Sequence, residues 1–111
     1  MIRSKYYSKK VKIDGHTFDS KREAEYFQIL KVLELSGKIK DLELQKEFVL
    51  QEKFKLGKKT IRPITYRADF TYISTEDDRL HIIDVKGYRT DVYRLKKKMF
   101  EYKYGIEIEE V

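Results

Sequence analysis

Residues 81–88 read HIIDVKGY. Asp84 and Lys86 stand two apart, so on a strand both side chains point to one face. A carboxylate beside an ammonium is either a plain strand-end ion pair or part of a functional site. Asp69 favours the second reading. It lies inside TYRADFTYI, in the middle of a strand-like stretch where aspartate is disfavoured. With a hairpin turn centred on Glu76-Asp77, residues whose numbers share one sum face each other, and Asp69 falls opposite Asp84. Directly opposed like charges destabilise a sheet unless a cation sits between them. Lys86 supplies one cation. Two carboxylates with oxygens to spare also suit Mg²⁺ or Mn²⁺, hard ions that prefer oxygen ligands. The register is decisive, because a slip of one residue turns Asp69 to the other face.

The remaining residue types narrow the chemistry. Cysteine is absent, which removes disulfides and thiolate metal sites and fits a reducing cytosol. No serine, cysteine or histidine arrangement offers a covalent nucleophile. His81 stands three residues before Asp84, so it faces the other way and is expected to be structural. His16 follows a turn and is expected to be exposed. A metal would therefore sit on carboxylates and carbonyls.

The elements that must hold these residues can be read in order. VKIDGHTF (11–18) is a hairpin with Asp14-Gly15 as its turn. Ser20 opens a helix, and Glu23 three residues on completes a capping box. The helix should end near Ser36, with Gly37 as its stop. Phe27 and Leu30 share the side of Glu23, which points it inward; Glu25 is its competitor, facing elsewhere. Strands are expected over roughly 43–54, 61–74 and 79–86, with Leu56-Gly57-Lys58 as a turn. Leu44, Phe48, Leu50 and Phe54 make an even-spaced stripe in the first of them. Thr90 or Asp91 caps a second helix running to about Lys103, whose expected core stripe is Val92, Leu95, Met99 and Tyr102. Gly105 ends it, and IEIEEV is a last strand. The order is α-β-β-β-α-β, an α/β fold with a mixed central sheet flanked by helices.

The 111 residues suit one domain, 1–111, with 1–9 expected to be a mobile basic arm. No apolar run is long enough to cross a bilayer, and the N-terminus lacks a signal-peptide pattern. The net charge is +6, a bias toward polyanions and above all nucleic acid. Lys9 in the arm and Lys10 next to it, with Arg89, Arg94, Lys96, Lys97 and Lys98 around the second helix, are the candidate contacts. Tyr6, Tyr7, Tyr88 and Tyr93 among them suit backbones and unstacked bases, or equally the core.

D69-x14-D84-V-K86, preceded by a helix with Glu23 and followed by a basic helix, resembles the PD-(D/E)xK (restriction-endonuclease-like) nuclease superfamily. FDSKREAEYF (18–27), YRADF (66–70), IDVKGYRTD (83–91) and YGIEI (104–108) are similar to small phage or prophage members of uncharacterised activity. Ala68 stands where the superfamily name has proline, and Asp84 where glutamate is commoner. The resemblance implies a restriction-endonuclease-like core and a Mg²⁺- or Mn²⁺-dependent endonuclease acting on DNA, with RNA open. It implies that Asp69 and Asp84 bind the metal, that Val85 offers its carbonyl, and that Glu23 adds a metal- or water-linked carboxylate. Lys86 would position the attacking water and offset charge on the phosphate. A chain this small would need a homodimer, a protein partner or recognition of DNA shape, and it would act in the cytoplasm, that of a bacterial host if phage-encoded. The rival readings are a non-catalytic nucleic-acid-binding module and a transposase-like nuclease subunit active only with a partner.

Overall fold

A computed structural model describes residues 10–111; the expected basic arm, with Lys9, Tyr6 and Tyr7, lies outside them. The first hairpin pairs β1 (Val11–Ile13) with β2 (His16–Phe18). Asp14 and Gly15 both take positive φ, +51° and +81°, as a two-residue hairpin turn with the sheet's own twist requires. Helix α1 (Lys21–Leu35) begins at Ser20, whose Oγ accepts from the Glu23 amide at 3.1 Å. It ends as the sequence predicts. Gly37 turns left-handed at φ +77°. The amides of Gly37 and Lys38 then return to the carbonyls of Glu34 and Leu33, closing the last turn.

The central sheet has four strands in the order β3 (Ile39–Gln51), β6 (Ile64–Ser74), β7 (Leu80–Asp84), β8 (Ile108–Glu110). The first three are antiparallel; β8 joins β7 in parallel after a crossover through α2 (Asp91–Tyr104). Thr90 is the cap of α2 and Gly105, at φ +66°, its stop. The molecule is therefore a mixed α/β protein with a mixed four-stranded sheet and two helices. Strand boundaries differ from expectation. β3 begins at Ile39 and ends at Gln51, β6 begins only at Ile64, and β7 ends at Asp84, so Lys86 lies beyond the strand. The expected turn at 56–58 instead joins β4 (Phe54–Leu56) and β5 (Lys59–Ile61), which form a separate two-stranded ribbon. Pro63 lacks the amide needed to continue a ladder, and the break falls beside it.

Two hydrophobic clusters flank the sheet. One gathers Phe18, Ala24, Phe27, Leu30, Ile39, Phe70 and Ile83 beneath α1; the other gathers Leu50, Tyr66, Ala68, Ile82, Tyr93, Phe100 and Ile108 beneath α2. The even-spaced stripe of β3 is split between them. Leu44 packs on the α1 cluster and Phe48 and Leu50 on the α2 cluster. Strict alternation would keep all three on one face. The reversal falls at Gln45, whose φ is +56°, and β6 shares it, since Phe70 packs on the α1 cluster and Ala68 on the α2 cluster.

The stripe expected for α2 is corrected. Val92, Leu95 and Tyr102 are exposed, the last at 94 %, and only Met99 packs in part on the core. The helix instead buries Tyr93 and Phe100. The facing sheet presents Phe48 and Tyr66, whose rings lie 5.1 and 5.4 Å from Phe100. Tyr93 and Phe100 bring two rings against this aromatic face, where the neighbouring stripe has one, at Tyr102, and they decide the rotation of the helix.

Candidate active site

The pairing of β6 with β7 runs Ile73↔Leu80, Tyr72↔His81, Thr71↔Ile82, Phe70↔Ile83, the register that sets Asp69 against Asp84. There the strands part. Where a backbone ladder would continue, the Val85 amide donates to Asp69 Oδ2 at 2.7 Å. The carboxylate thus replaces a strand, and the opened end of the hairpin becomes the site.

Asp84 is 2 % exposed. The Tyr66 hydroxyl donates to its Oδ2 at 2.6 Å. Its Oδ1 lies 2.8 Å from Lys86 Nζ, but no hydrogen bond of adequate angle reaches that oxygen. Lys86 is held by charge on one side and by the Tyr93 ring on the other, with the ammonium 3.9 Å from the ring centroid. Tyr93 is fixed in turn, since its hydroxyl donates to Glu110 Oε2 at 2.7 Å. Burial, then the hydrogen bond to Asp84, pushes the Tyr66 hydroxyl up; burial and the bond to Glu110 do the same at Tyr93. Both phenols therefore remain donors.

Glu23 completes the group. Its amide makes the cap, but its carboxylate does not turn back to the helix start: Oε1 accepts from Gln45 Nε2 at 2.9 Å. The side chain is buried, whereas Glu25 is exposed and pairs with Lys21. Glu23, not Glu25, is the one turned inward toward Asp69. Burial first, then the charges of Asp69 and Asp19, lift its carboxyl to about 7, against a smaller lowering by Gln45. Asp69 is also raised, by burial and then by Asp84; the Val85 amide and Lys86 pull the other way.

The donor set fits a hard divalent ion. Asp84 Oδ1 is a buried oxygen lacking a well-formed hydrogen bond, and Asp69 and Asp84 repel each other in a way that a cation would relieve. Among the described residues no three carboxylate or imidazole groups stand in a ready ligand arrangement, so the fit rests on the Asp69–Asp84 pair. Val85 sits beside it.

These raised carboxyls make a pH prediction for the metal-free protein. A carboxyl whose folded pKa exceeds its unfolded value stabilises the fold most below the unfolded value, and that stability is lost as pH rises through the folded one. For Glu23 the window runs from 4.5 to about 7. In EDTA the melting temperature should fall by about 5 °C between the two ends. Glu23→Gln should flatten part of that slope. His81 has the same sign, so the difference between wild type and variant isolates Glu23; equal slopes would contradict the assignment.

The other expected residues lie as follows. Arg89 pairs with Glu110 at 2.9 Å, Lys97 with Glu101 at 2.9 Å, and Arg94 with Asp91 at 3.7 Å. Lys96 is half-buried, Lys98 and Lys10 are exposed. His16 is exposed. His81 bridges Glu109 and Asp77 and stacks on Tyr72, away from the carboxylates. Burial opposes its charged form, but its two carboxylate bonds prevail and raise its pKa. Sequence reasoning did not single out Tyr66 or Gln45, nor Arg22, whose Nη1 donates to the Lys86 carbonyl at 3.2 Å. It gave Tyr93 to a basic face or to the core, and the core is where the side chain packs. No local pattern marks these residues, since each reaches the site across the fold.

Fold and site together define a small mixed α/β protein with three acidic side chains and a lysine gathered where one hairpin of the sheet opens. The chain belongs to the DUF1064 family, described as a protein of unknown function, whose model matches residues 3–109. No curated protein and no solved structure matches it. Among the described residues, no helix is long and apolar enough to cross a membrane.

Proposed function

We propose that the protein is a metal-dependent endonuclease of restriction-endonuclease-like type that hydrolyses phosphodiester bonds in DNA. The observation that carries this reading is the buried Asp84. It faces Asp69 across an opened hairpin, with one oxygen held by Tyr66 and the other beside Lys86.

Asp69, Asp84 and the Val85 carbonyl would hold Mg²⁺ or Mn²⁺, with Glu23 beside them. Such an ion, when bound, supplies a nucleophilic water and neutralises charge on the phosphate. The chain's own groups do the rest. The Val85 amide orients Asp69, and Tyr66 orients Asp84. Lys86, a point charge with three donors, sits where a non-bridging phosphate oxygen and an attacking water can both be met. The Tyr93 face keeps the ammonium from collapsing wholly onto Asp84. Burial of the carboxylates excludes bulk water, which strengthens each of these interactions.

A homodimer or a protein partner would supply a second cut or the specificity that one small domain lacks. The setting that fits is phage DNA processing in a bacterial cytoplasm, including branched DNA as a resolvase would meet it. Linear, nicked, flapped and four-way DNA substrates, each with Mg²⁺ and with Mn²⁺, form the test. Cleavage of any of them that EDTA abolishes supports the reading. Cleavage of none, alone or with partner proteins, leaves the non-catalytic binding module.

Contacts around α2 should also be measurable. Replacing Lys96, Lys97 and Lys98 together with glutamine should weaken binding to all sequences alike in a gel-shift series. Lys97 is already committed to Glu101, so about two phosphate contacts are at stake, and the salt slope should fall by about 2. Unchanged affinity would remove this helix from the interface.

A further inference from the structure

The β4–β5 ribbon has no part in the fold as described. It pairs only with itself, and every residue from 51 to 60 is exposed. An isolated two-stranded hairpin is marginal in water, so a chain that keeps one off its core keeps it for a surface. Residues 52–62 read EKFKLGKKTIR. Lys53, Lys55, Lys58, Lys59 and Arg62 stand against Glu52 alone, a net of +4 within a chain whose total is +6. None of the five forms an ion pair among the described residues, whereas Arg89, Arg94 and Lys97 all do. The cross-strand pairs Phe54↔Ile61 and Leu56↔Lys59 put three apolar residues and a lysine on one face; Lys55↔Thr60 makes the other. Leu56 at the tip is 67 % exposed.

We infer that this ribbon is a DNA-groove finger that lies in the duplex beside the cleavage site. The inference rests on the nuclease reading for the position of the cut, but not for the binding itself. The major groove of B-form DNA, about 12 Å wide, admits a two-stranded ribbon. The deep, narrow major groove of an A-form RNA duplex does not. Lysines on the edges and turn reach the phosphates on both sides, and the Phe54–Leu56–Ile61 face lies against base edges and thymine methyls. Charge decides against a second copy of the chain as occupant, because two ribbons meeting face to face would set +4 against +4. Counting along β6 and β5, the tip is up to roughly 40 Å from Asp69, about one helical turn.

The test uses the full chain and a fluorescein-labelled B-form duplex of about 40 base pairs, four helical turns, in EDTA. Lys55→Gln/Lys58→Gln/Lys59→Gln should keep the wild-type melting temperature, since these side chains bury nothing. It should weaken binding about tenfold or more and reduce the salt slope by about 2–3. A hydroxyl-radical footprint of the wild-type protein, which needs no variant, should show protection about one turn to one side of the cut. Unchanged affinity and slope in the variant would overturn the inference, as would equal binding of an A-form RNA duplex. Loss of a dimer with DNA binding intact would assign the ribbon to a second copy and overturn it too. The two readings separate cleanly. Weakened binding by a protein that never cuts upholds the finger and removes the nuclease. Normal cutting by the triple variant with unaltered affinity does the reverse.

Discussion

Asp84→Asn protein should fold, bind DNA and cleave it at least on the order of a hundredfold more slowly than wild type. The substitution changes little volume, and the Tyr66 hydroxyl can still donate to the amide oxygen. What disappears is the charge on a side chain 2 % exposed, and with it half of the carboxylate pair that would hold the metal. Without that pair neither water activation nor phosphate neutralisation has an anchor. Stability should move the other way. Asp69 is held up in part by Asp84, so removing one charge lets the other ionise at lower cost. In EDTA near pH 8 the variant should melt no lower than wild type, the pattern of a functional site and not of an ordinary ion pair. Cleavage at the wild-type rate with saturating Mg²⁺ would end the assignment of Asp84.

Lys86→Ala should be as severe for cleavage, and opposite for stability. The ammonium lies 2.8 Å from Asp84 Oδ1 and is the only cation contacting that oxygen among the described residues. Deleting one partner of a buried pair leaves an uncompensated charge, at a cost of about 3–5 kcal/mol. Lysine is not a metal ligand, so a divalent ion can replace the missing charge. Mg²⁺ should therefore raise the melting temperature of Lys86→Ala by more than it raises that of wild type, while the rate stays at least about a hundredfold down even at saturating metal. Tyr93→Leu should show a weaker version, about tenfold in rate, because it loosens the lysine without removing it. Restoration of full activity by metal alone would mean that Lys86 serves only to neutralise Asp84.

The elements of this fold were legible because their boundaries are local. Ser20, Gly37, Thr90 and Gly105 each announce a helix end by their own chemistry, and the Glu76-Asp77 turn fixes a register from which Asp69 and Asp84 follow. Other features were not legible, among them where β7 ends and the separation of β4–β5 from the sheet. The rotation of α2 depends on Phe48 and Tyr66 in the sheet, distant in sequence, so two apolar stripes on one helix could not be ranked from the helix alone. The break of alternation in β3 falls where Gln45 takes a backbone that glutamine rarely adopts, level with the same break in β6; nothing in its neighbours foretells it. The supporting residues Tyr66 and Gln45 were hidden for the same reason. The capping box at Ser20 and Glu23 was half right: the backbone bond formed, and the side chain went to Gln45 instead.

That reversal at Gln45 places the carboxylates at a seam. Glu23 arrives from the α1 side; Tyr66, Lys86 and Tyr93 belong to the α2 side; Asp69 and Asp84 stand at the mouth between the two packings. Cooperative units within a domain can open separately, and neither packing alone contains the whole site. A partial opening of one half, too small to register in helix content, would already separate Glu23 from Lys86 and Tyr66. On the nuclease reading, cleavage would report on the agreement between two cores, and heat should silence it before the chain unfolds.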